Sequence, residues 1–367
     1  VSVATPEIPV QGGRRTPVSA GPSAFTRQRW WITRVLVLPV HLLVFTVLSF
    51  ALVRSMPGDP VLNLLGQNYT PEGYAALQQQ LGLDGSLLEQ FRHYLTQLVH
   101  LDLGNSIATG RPVLTELGER VPQTLELAFL ALLISICASV AAALFATLRP
   151  RNGLAALVRV YGRTAGALPE YVVAIAALFL CYAVLHVVPA PVGRMAPQLP
   201  APAGTTGFPL LDTVLQGYWT ATGSMLAHLV LPVGVMVVAH SALLTRMLLA
   251  GLDEAVDNPQ TRFRIASGAH RRAVVLSMLR RAAPPAVTTT GTLFGYLLGG
   301  AVVIESLFGL SGLGGYAVDA VSASDVVAMQ GFLLVIAALS LLVFLVVDLV
   351  NMSVDPRRRP GLGGSSS

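Results

Sequence analysis

The chain has 367 residues, 53% of them apolar and only 12% charged, whereas ordinary soluble domains are roughly a quarter charged. Disorder, collagen and a water-soluble enzyme of normal make-up are excluded by that balance. All 24 basic residues are arginine and the net charge is +5; without lysine there is no phosphate-cradling Gly-Lys loop and no Schiff-base catalysis.

Residues 1–29 mix Pro, Gly, Ser and Val without period and read as a disordered cytoplasmic tail. A helix needs about 20 apolar residues to cross roughly 30 Å of hydrocarbon, and six stretches qualify: 31–53, 122–148, 165–188, 225–250, 285–304 and 328–350. The first opens on Trp30 and Trp31, rings suited to the water interface, and lacks the small-residue cleavage site of a secretory signal. The fold class expected is therefore all-α, a polytopic membrane protein with six transmembrane helices.

Arginines sort the connections. Nineteen lie before or at the start of the first span, between the second and third, between the fourth and fifth, or after the sixth; the remaining segments hold only Arg54, Arg92, Arg111, Arg120 and Arg194. Because basic residues collect on the cytoplasmic side, both termini are expected there. Residues 54–121 carry turn signals at Pro57-Gly58-Asp59-Pro60 and Thr70-Pro71-Glu72, then a patterned stretch from Leu87 to Val99, predicting a small helical cap outside the membrane. Pro189 to Pro209 reads as an extended external loop, and residues 360–367 as a flexible Gly/Ser tail or cloning remnant.

Chemistry-bearing residues are sparse. His228 and His240 are twelve apart, about 120° around one helix, and there is no His-Glu-x-x-His motif, so no metal site is expected. Cys137 and Cys181 sit in apolar runs and read as inert buried thiols. Glu126 and Glu170 are placed in the first turns of their predicted helices, where the positive dipole end favours an anion. Glu305 ends the fifth span and opens a turn-rich segment running to Gly315, as either a gate or an interface residue. Gly291, Gly295 and Gly299 fall at four-residue spacing and predict close helix packing. The charged loop from Arg246 to Pro285, interrupted by Gly268, is predicted to form one or two short helices that either lie on lipid or dock a soluble partner.

From about residue 30 to Arg359 the sequence resembles the permease subunits of ATP-binding-cassette importers for di- and oligopeptides, a family that also includes nickel importers. The resemblance rests on Pro57-Gly58-Asp59-Pro60, Leu81-Gly82-Leu83-Asp84, Asp102-Leu103-Gly104-Asn105-Ser106, Arg120-Val121-Pro122-Gln123-Thr124-Leu125-Glu126-Leu127, the Glu305 to Gly314 segment and Asp355-Pro356-Arg357, in that order. It implies a type I importer-like permease in a bacterial cytoplasmic membrane, not an enzyme, and a six-span domain over 30–359. It implies an ATPase-coupling loop at about 251–284, with Glu254, Arg262, Phe263, Ala266 and Gly268 as coupling residues. Asp59, Asp102, Glu305, Gly312 and Gly314 would lie on the gate and binding-protein side. No cofactor is expected in this chain, ATP and Mg residing in partner ATPases. Expected partners are a second homologous permease, two ATP-binding-cassette subunits, an external substrate-binding protein and membrane lipid, with no nucleic acid. Peptide is the leading cargo and nickel or a metal chelate the alternative. A proton-coupled secondary transporter is a weaker rival, since the acidic residues cluster at span ends and no inverted halves are evident.

Overall fold

The computed structural model describes residues 24–55, 60–65, 69–80, 84–164 and 169–354. Pro57-Gly58-Asp59, Leu81-Gly82-Leu83, the tail before Ala24 and everything after Val354, including Arg357 to Arg359, lie outside the described residues. Among those described the structure is helical, with one isolated bridge between Asn105 and Pro112.

Helix α1 (Ala24–Arg54) leads into three short helices, α2 (Pro60–Leu65), α3 (Pro71–Gln80) and α4 (Leu87–Val99). Next come α5 (Val113–Leu148), α6 (Gly153–Thr164) and α7 (Glu170–Ala177), the last continuing as a wider π-helical coil over Leu178–Val184. Then follow α8 (Pro209–Leu215), α9 (Trp219–Asp257), α10 (Pro259–Ala266), α11 (Arg271–Leu307), α12 (Leu313–Ser322) and α13 (Val326–Val354). Residues 24–29, assigned above to the tail, are thus already helical.

Five helices are long and apolar enough to span a bilayer, within Val35–Arg54, Val113–Leu148, Trp219–Asp257, Arg271–Leu307 and Val326–Leu349. The expected third span, 165–188, contracts to the shorter apolar helix Glu170–Val184. Pro169 fixes its start, and beyond Val184 the backbone turns at His186, which has φ +52°. The other helices outrun their hydropathy windows, α5 by nine residues at its start, because apolarity marks the part in hydrocarbon rather than the hydrogen-bonded helix.

Helices α5, α9 and α11 form the centre, with α13 packed on α11 and α1 on α13. The largest cluster surrounds Leu127, Met236, Leu244, Leu297, Leu298 and Ile304. Hydrocarbon solvates leucine as well as protein does, so cohesion here comes from close packing and interhelical hydrogen bonds. Ser139 Oγ donates to the Ser241 carbonyl at 3.0 Å, and the Tyr161 hydroxyl donates to the Val238 carbonyl at 2.7 Å, fastening α5 and α6 to α9. Gly251 lies against the Ala282 backbone, where a Cβ would come within 2.9 Å of Ala282 Cα. Gly291 and Gly295 accommodate Val347 and Phe344 of α13. A Cβ on Gly299 would meet nothing within 4 Å, and the corresponding close approach is at Gly300, against Glu170.

Two ends can be distinguished. The cap end gathers α2–α4, the starts of α5 and α9, the end of α11, and α12; the arginine end gathers α6, α10 and the start of α11. At the cap end Val53, Leu103, Leu117, Leu313, Tyr316 and Met329 share one apolar cluster. Cys137, expected to be buried, is exposed on the flank of α5.

Candidate functional site

At the cap end, Glu305 sits in the last turn of α11, fully buried. Its Oε2 accepts hydrogen bonds from Thr124 Oγ1 at 3.1 Å and from the Gly314 N–H at 2.9 Å. Thr124 Oγ1 in turn accepts the Leu313 N–H at 3.0 Å. The amides come from the first turn of α12, whose unpaired N–H groups and positive dipole end favour an anion. Glycine is required by space: a Cβ on Gly312 would overlap the Glu305 carboxylate, and one on Gly314 the Val302 carbonyl. Arg120, from the same sequence segment as Thr124, stacks over the Tyr316 ring, 4.7 Å from its centroid.

The structure therefore brings Glu305, Gly312 and Gly314 into one knot, while Asp102 stands apart and closes a local turn by accepting the Gly104 N–H at 2.8 Å. Asp59 lies outside the described residues. Three further charged residues of this end escape the sequence reading as a working group. Asp325, 1% exposed, accepts Ser106 Oγ at 2.7 Å, the Ala108 N–H at 3.1 Å and the Ala328 N–H at 2.9 Å, tying the segment after Asp102 to the start of α13. Glu126 and Arg194 form the second connection.

Glu126 does not cap its own helix as expected, since α5 begins at Val113 and passes through Pro122. Its carboxylate instead pairs with the Arg194 guanidinium at 2.8 Å, both side chains at most 8% exposed. It also accepts the Leu210 and Leu211 N–H groups at 2.9 and 3.3 Å, so the helix it caps is α8. Burial pushes the Arg194 guanidinium down from its ordinary pKa, while Glu126 and, secondarily, Glu305 pull it back up. The long loop before α8 is thereby pinned to the bundle.

At the arginine end, α9 runs to Asp257 and Asn258 caps α10, its side chain accepting the Gln260 N–H at 3.0 Å. Thr261, 2% exposed, donates to the Ala255 carbonyl at 2.7 Å, locking α10 onto α9. Arg281 donates to Gln260, joining α10 to α11. The helix ends on Gly268 with φ +74°, and the Gly268 and Ala269 N–H groups return to the Ile265 and Arg264 carbonyls, each at 3.0 Å. This left-handed closure is the arrangement glycine favours after a helix.

Glu254, Arg262, Phe263, Ala266 and Gly268 all lie exposed on this projecting segment. Phe263 and Ile265 expose 71% and 61% of their surfaces, an apolar pair flanked by arginines. Arg262 meets Asp257 at 3.3 Å with both side chains largely in solvent, a contact of little energetic weight. Arg159 of α6 grips Asp253 through two hydrogen bonds, 2.6 and 3.0 Å, which raise its pKa. His41, His228 and His240 each place Nδ1 on the carbonyl four residues earlier. Among the described residues no group of three His, Cys, Asp or Glu side chains could hold a metal ion.

Comparison with known proteins accords with this arrangement. Residues 135–360 match the family described as binding-protein-dependent transport system inner membrane component, and residues 28–128 match the N-terminal family of such membrane components. The chain is similar to the probable D,D-dipeptide transport system permease protein DdpB of Escherichia coli K12, 35% identical over 92% of this chain and 98% of that protein. It is 31% identical to the dipeptide transport system permease protein DppB of the same strain, over 88% and 96% of the two chains. With DppB of Alkalihalophilus pseudofirmus it shares 29% over 88% and 97%. A multi-pass helical bundle matched over nearly its whole described length places the chain in the family of inner membrane components of binding-protein-dependent transport systems.

Proposed function

We propose that the chain is a translocation subunit of an ATP-driven importer of short peptides, working with a second permease, two ATPase subunits and an external binding protein. Peptide cargo is supported by the relatives, which are dipeptide permeases by name. The distribution of arginine supports a cytoplasmic arginine end and an external cap end.

The observation that carries the coupling is that α10 is fastened to both central helices, through Thr261 to α9 and through Arg281 to α11. A partner ATPase seated on Phe263 and Ile265 would move α10 as it closes on ATP, and the movement would pass into α9 and α11 together. Helix α11 ends in the Glu305 knot, so displacement at the arginine end reaches the cap end through one continuous element. Nucleotide biases the bundle only through a difference in affinity for its two arrangements. Glu305, Gly312 and Gly314, and separately Asp102, lie at the binding-protein end in this scheme, and ATP and Mg stay with the ATPases.

The test is uptake by proteoliposomes containing the chain with the subunits that co-purify from its native cells. ATP-dependent accumulation of a labelled dipeptide supports the reading. Accumulation of nickel but no dipeptide would replace it with metal import, and uptake driven by a proton gradient without ATP would replace it with secondary transport.

A further inference from the structure

We propose that a cavity between α6, α7, α9 and α11 is a cargo-path subsite for zwitterionic short peptides, in which Glu170 receives the N-terminal ammonium and Arg163 and Arg246 the C-terminal carboxylate. This deepens the peptide-import reading and rests on it.

The cavity holds about 460 Å³, with Glu170, His240, Arg163, Arg246 and Tyr296 among its walls. A sphere of that volume is about 10 Å across, and a fully extended dipeptide spans about 7 Å, so both charged ends fit inside.

Glu170 is the first residue of α7, and its side chain is 17% exposed. Oε2 stands 3.8 Å from His240 Nε2, whereas Oε1 is buried and has no hydrogen-bond partner. Burying an anionic oxygen without a donor is unfavourable, so Oε1 calls for a partner that the bundle itself does not supply. His240 spends Nδ1 on the Met236 carbonyl at 3.0 Å, so Nε2 alone faces the carboxylate.

Gly300 of α11 makes the room: a Cβ there would overlap the Glu170 carboxylate. On α6 a Cβ added to Gly162 would stand in ordinary van der Waals contact with the Arg246 backbone, 3.5 Å from its nitrogen, so α6 and α9 approach closely at this wall. Arg163 and Arg246 are exposed on the cavity wall, and among the described residues no side-chain hydrogen bond or ion pair engages either guanidinium. An acidic group within and basic groups toward the arginine end match a zwitterion held with its ammonium inside the bundle and its carboxylate toward that end. Ionisable residues that face a cavity within a membrane bundle are a hallmark of cargo routes.

The test is photo-labelling of the full chain in phosphatidylcholine nanodiscs with a benzophenone-bearing dipeptide, mapped by mass spectrometry. The free-ended probe should label residues 239–246 or 293–300 and be displaced by unlabelled dialanine. Blocking its amine by acetylation should cut labelling at least tenfold in the wild type, a comparison that needs no substitution. Glu170→Gln should lower free-ended labelling to the acetylated level and leave the acetylated probe unchanged. Arg163→Gln with Arg246→Gln should abolish the preference for a free carboxylate over an amide. Labelling elsewhere, or indifference to end-blocking or to Glu170→Gln, would overturn the subsite. Tenfold displacement by phosphatidylethanolamine, a headgroup of the same charge pattern, would reassign it to lipid. Dipeptide uptake by the assembled transporter alongside failed labelling removes only the subsite; absence of uptake removes the peptide reading itself.

Discussion

Glu126 and Arg194 stand 2.8 Å apart, buried together, and the same carboxylate caps α8. One side chain of α5 therefore positions the whole connection between α7 and α9. Breaking a buried pair by removing one partner leaves the other charge uncompensated and costs about 3–5 kcal/mol, while an apolar replacement of both is far milder. Arg194→Ala is expected to lower the thermal midpoint in detergent by more than the double variant Glu126→Leu, Arg194→Met does. Equal loss in both would show that the pair contributes no buried charge.

The knot at Glu305 depends on space as much as on hydrogen bonds. Gly312→Ala and Gly314→Ala place a methyl group into the Glu305 carboxylate and the Val302 carbonyl, an overpacking that costs about 1–3 kcal/mol. Thr124→Val removes one donor to Glu305 and the acceptor of the Leu313 N–H at once, with a loss of about 1–3 kcal/mol. Thermal unfolding of each single variant, and of Thr124→Val with Gly314→Ala, should show less than additive losses because the groups share one network.

Helix α4 of the cap is held by a capping box, the Ser86 N–H donating to Glu89 Oε2 at 2.7 Å and the Glu89 N–H to Ser86 Oγ at 3.4 Å. The hydrogen bonds from Ser86 hold the Glu89 carboxyl below its ordinary value. The stabilisation is therefore complete above the unfolded pKa of about 4.3, and fades as pH falls through the lower folded value. Amide exchange in residues 87–90 should accelerate in that acidic window, relative to the intrinsic rate, and Ser86→Ala should remove the pH dependence.

The fastening of α6 to α9 through Arg159 and Asp253 is half open to solvent, with side chains 30% and 47% exposed. Asp253→Asn is expected to change stability by no more than about 1 kcal/mol. A larger drop in thermal midpoint would show that this contact is more buried in the assembled protein than in the isolated chain.

Spans, arginine asymmetry and the Glu305-to-Gly314 segment were legible because each is local: apolar runs and glycines report their own neighbourhood. The Glu126–Arg194 pair was not, since its partners are 68 residues apart, and Pro122 reads as a helix start although α5 continues through it. Asp325 carried a usable signal that was passed over, an aspartate directly before the apolar run at Val326, where a helix N-cap belongs. The glycine stripe drifted for a geometric reason. Steps of four residues advance about 40° beyond a full turn, so by Gly299 the stripe has rotated off the α13 contact and Gly300 faces Glu170 instead. The segment around Gly268 was legible as a charged loop of short helices, but the two-sided attachment of α10 needed Thr261 and Gln260, whose contacts appear only once α9, α10 and α11 are in place.

The most direct measurement is ATP-dependent dipeptide uptake by proteoliposomes carrying the assembled transporter, comparing wild type with Gly268→Ile. Gly268 has φ +74° and a Cβ there would touch nothing, so the substitution distorts the α10–α11 joint without crowding the bundle. A β-branched residue in that region costs about 1–3 kcal/mol locally. Uptake should be abolished while the variant remains in the membrane with its subunits; full uptake by Gly268→Ile would contradict coupling through α10.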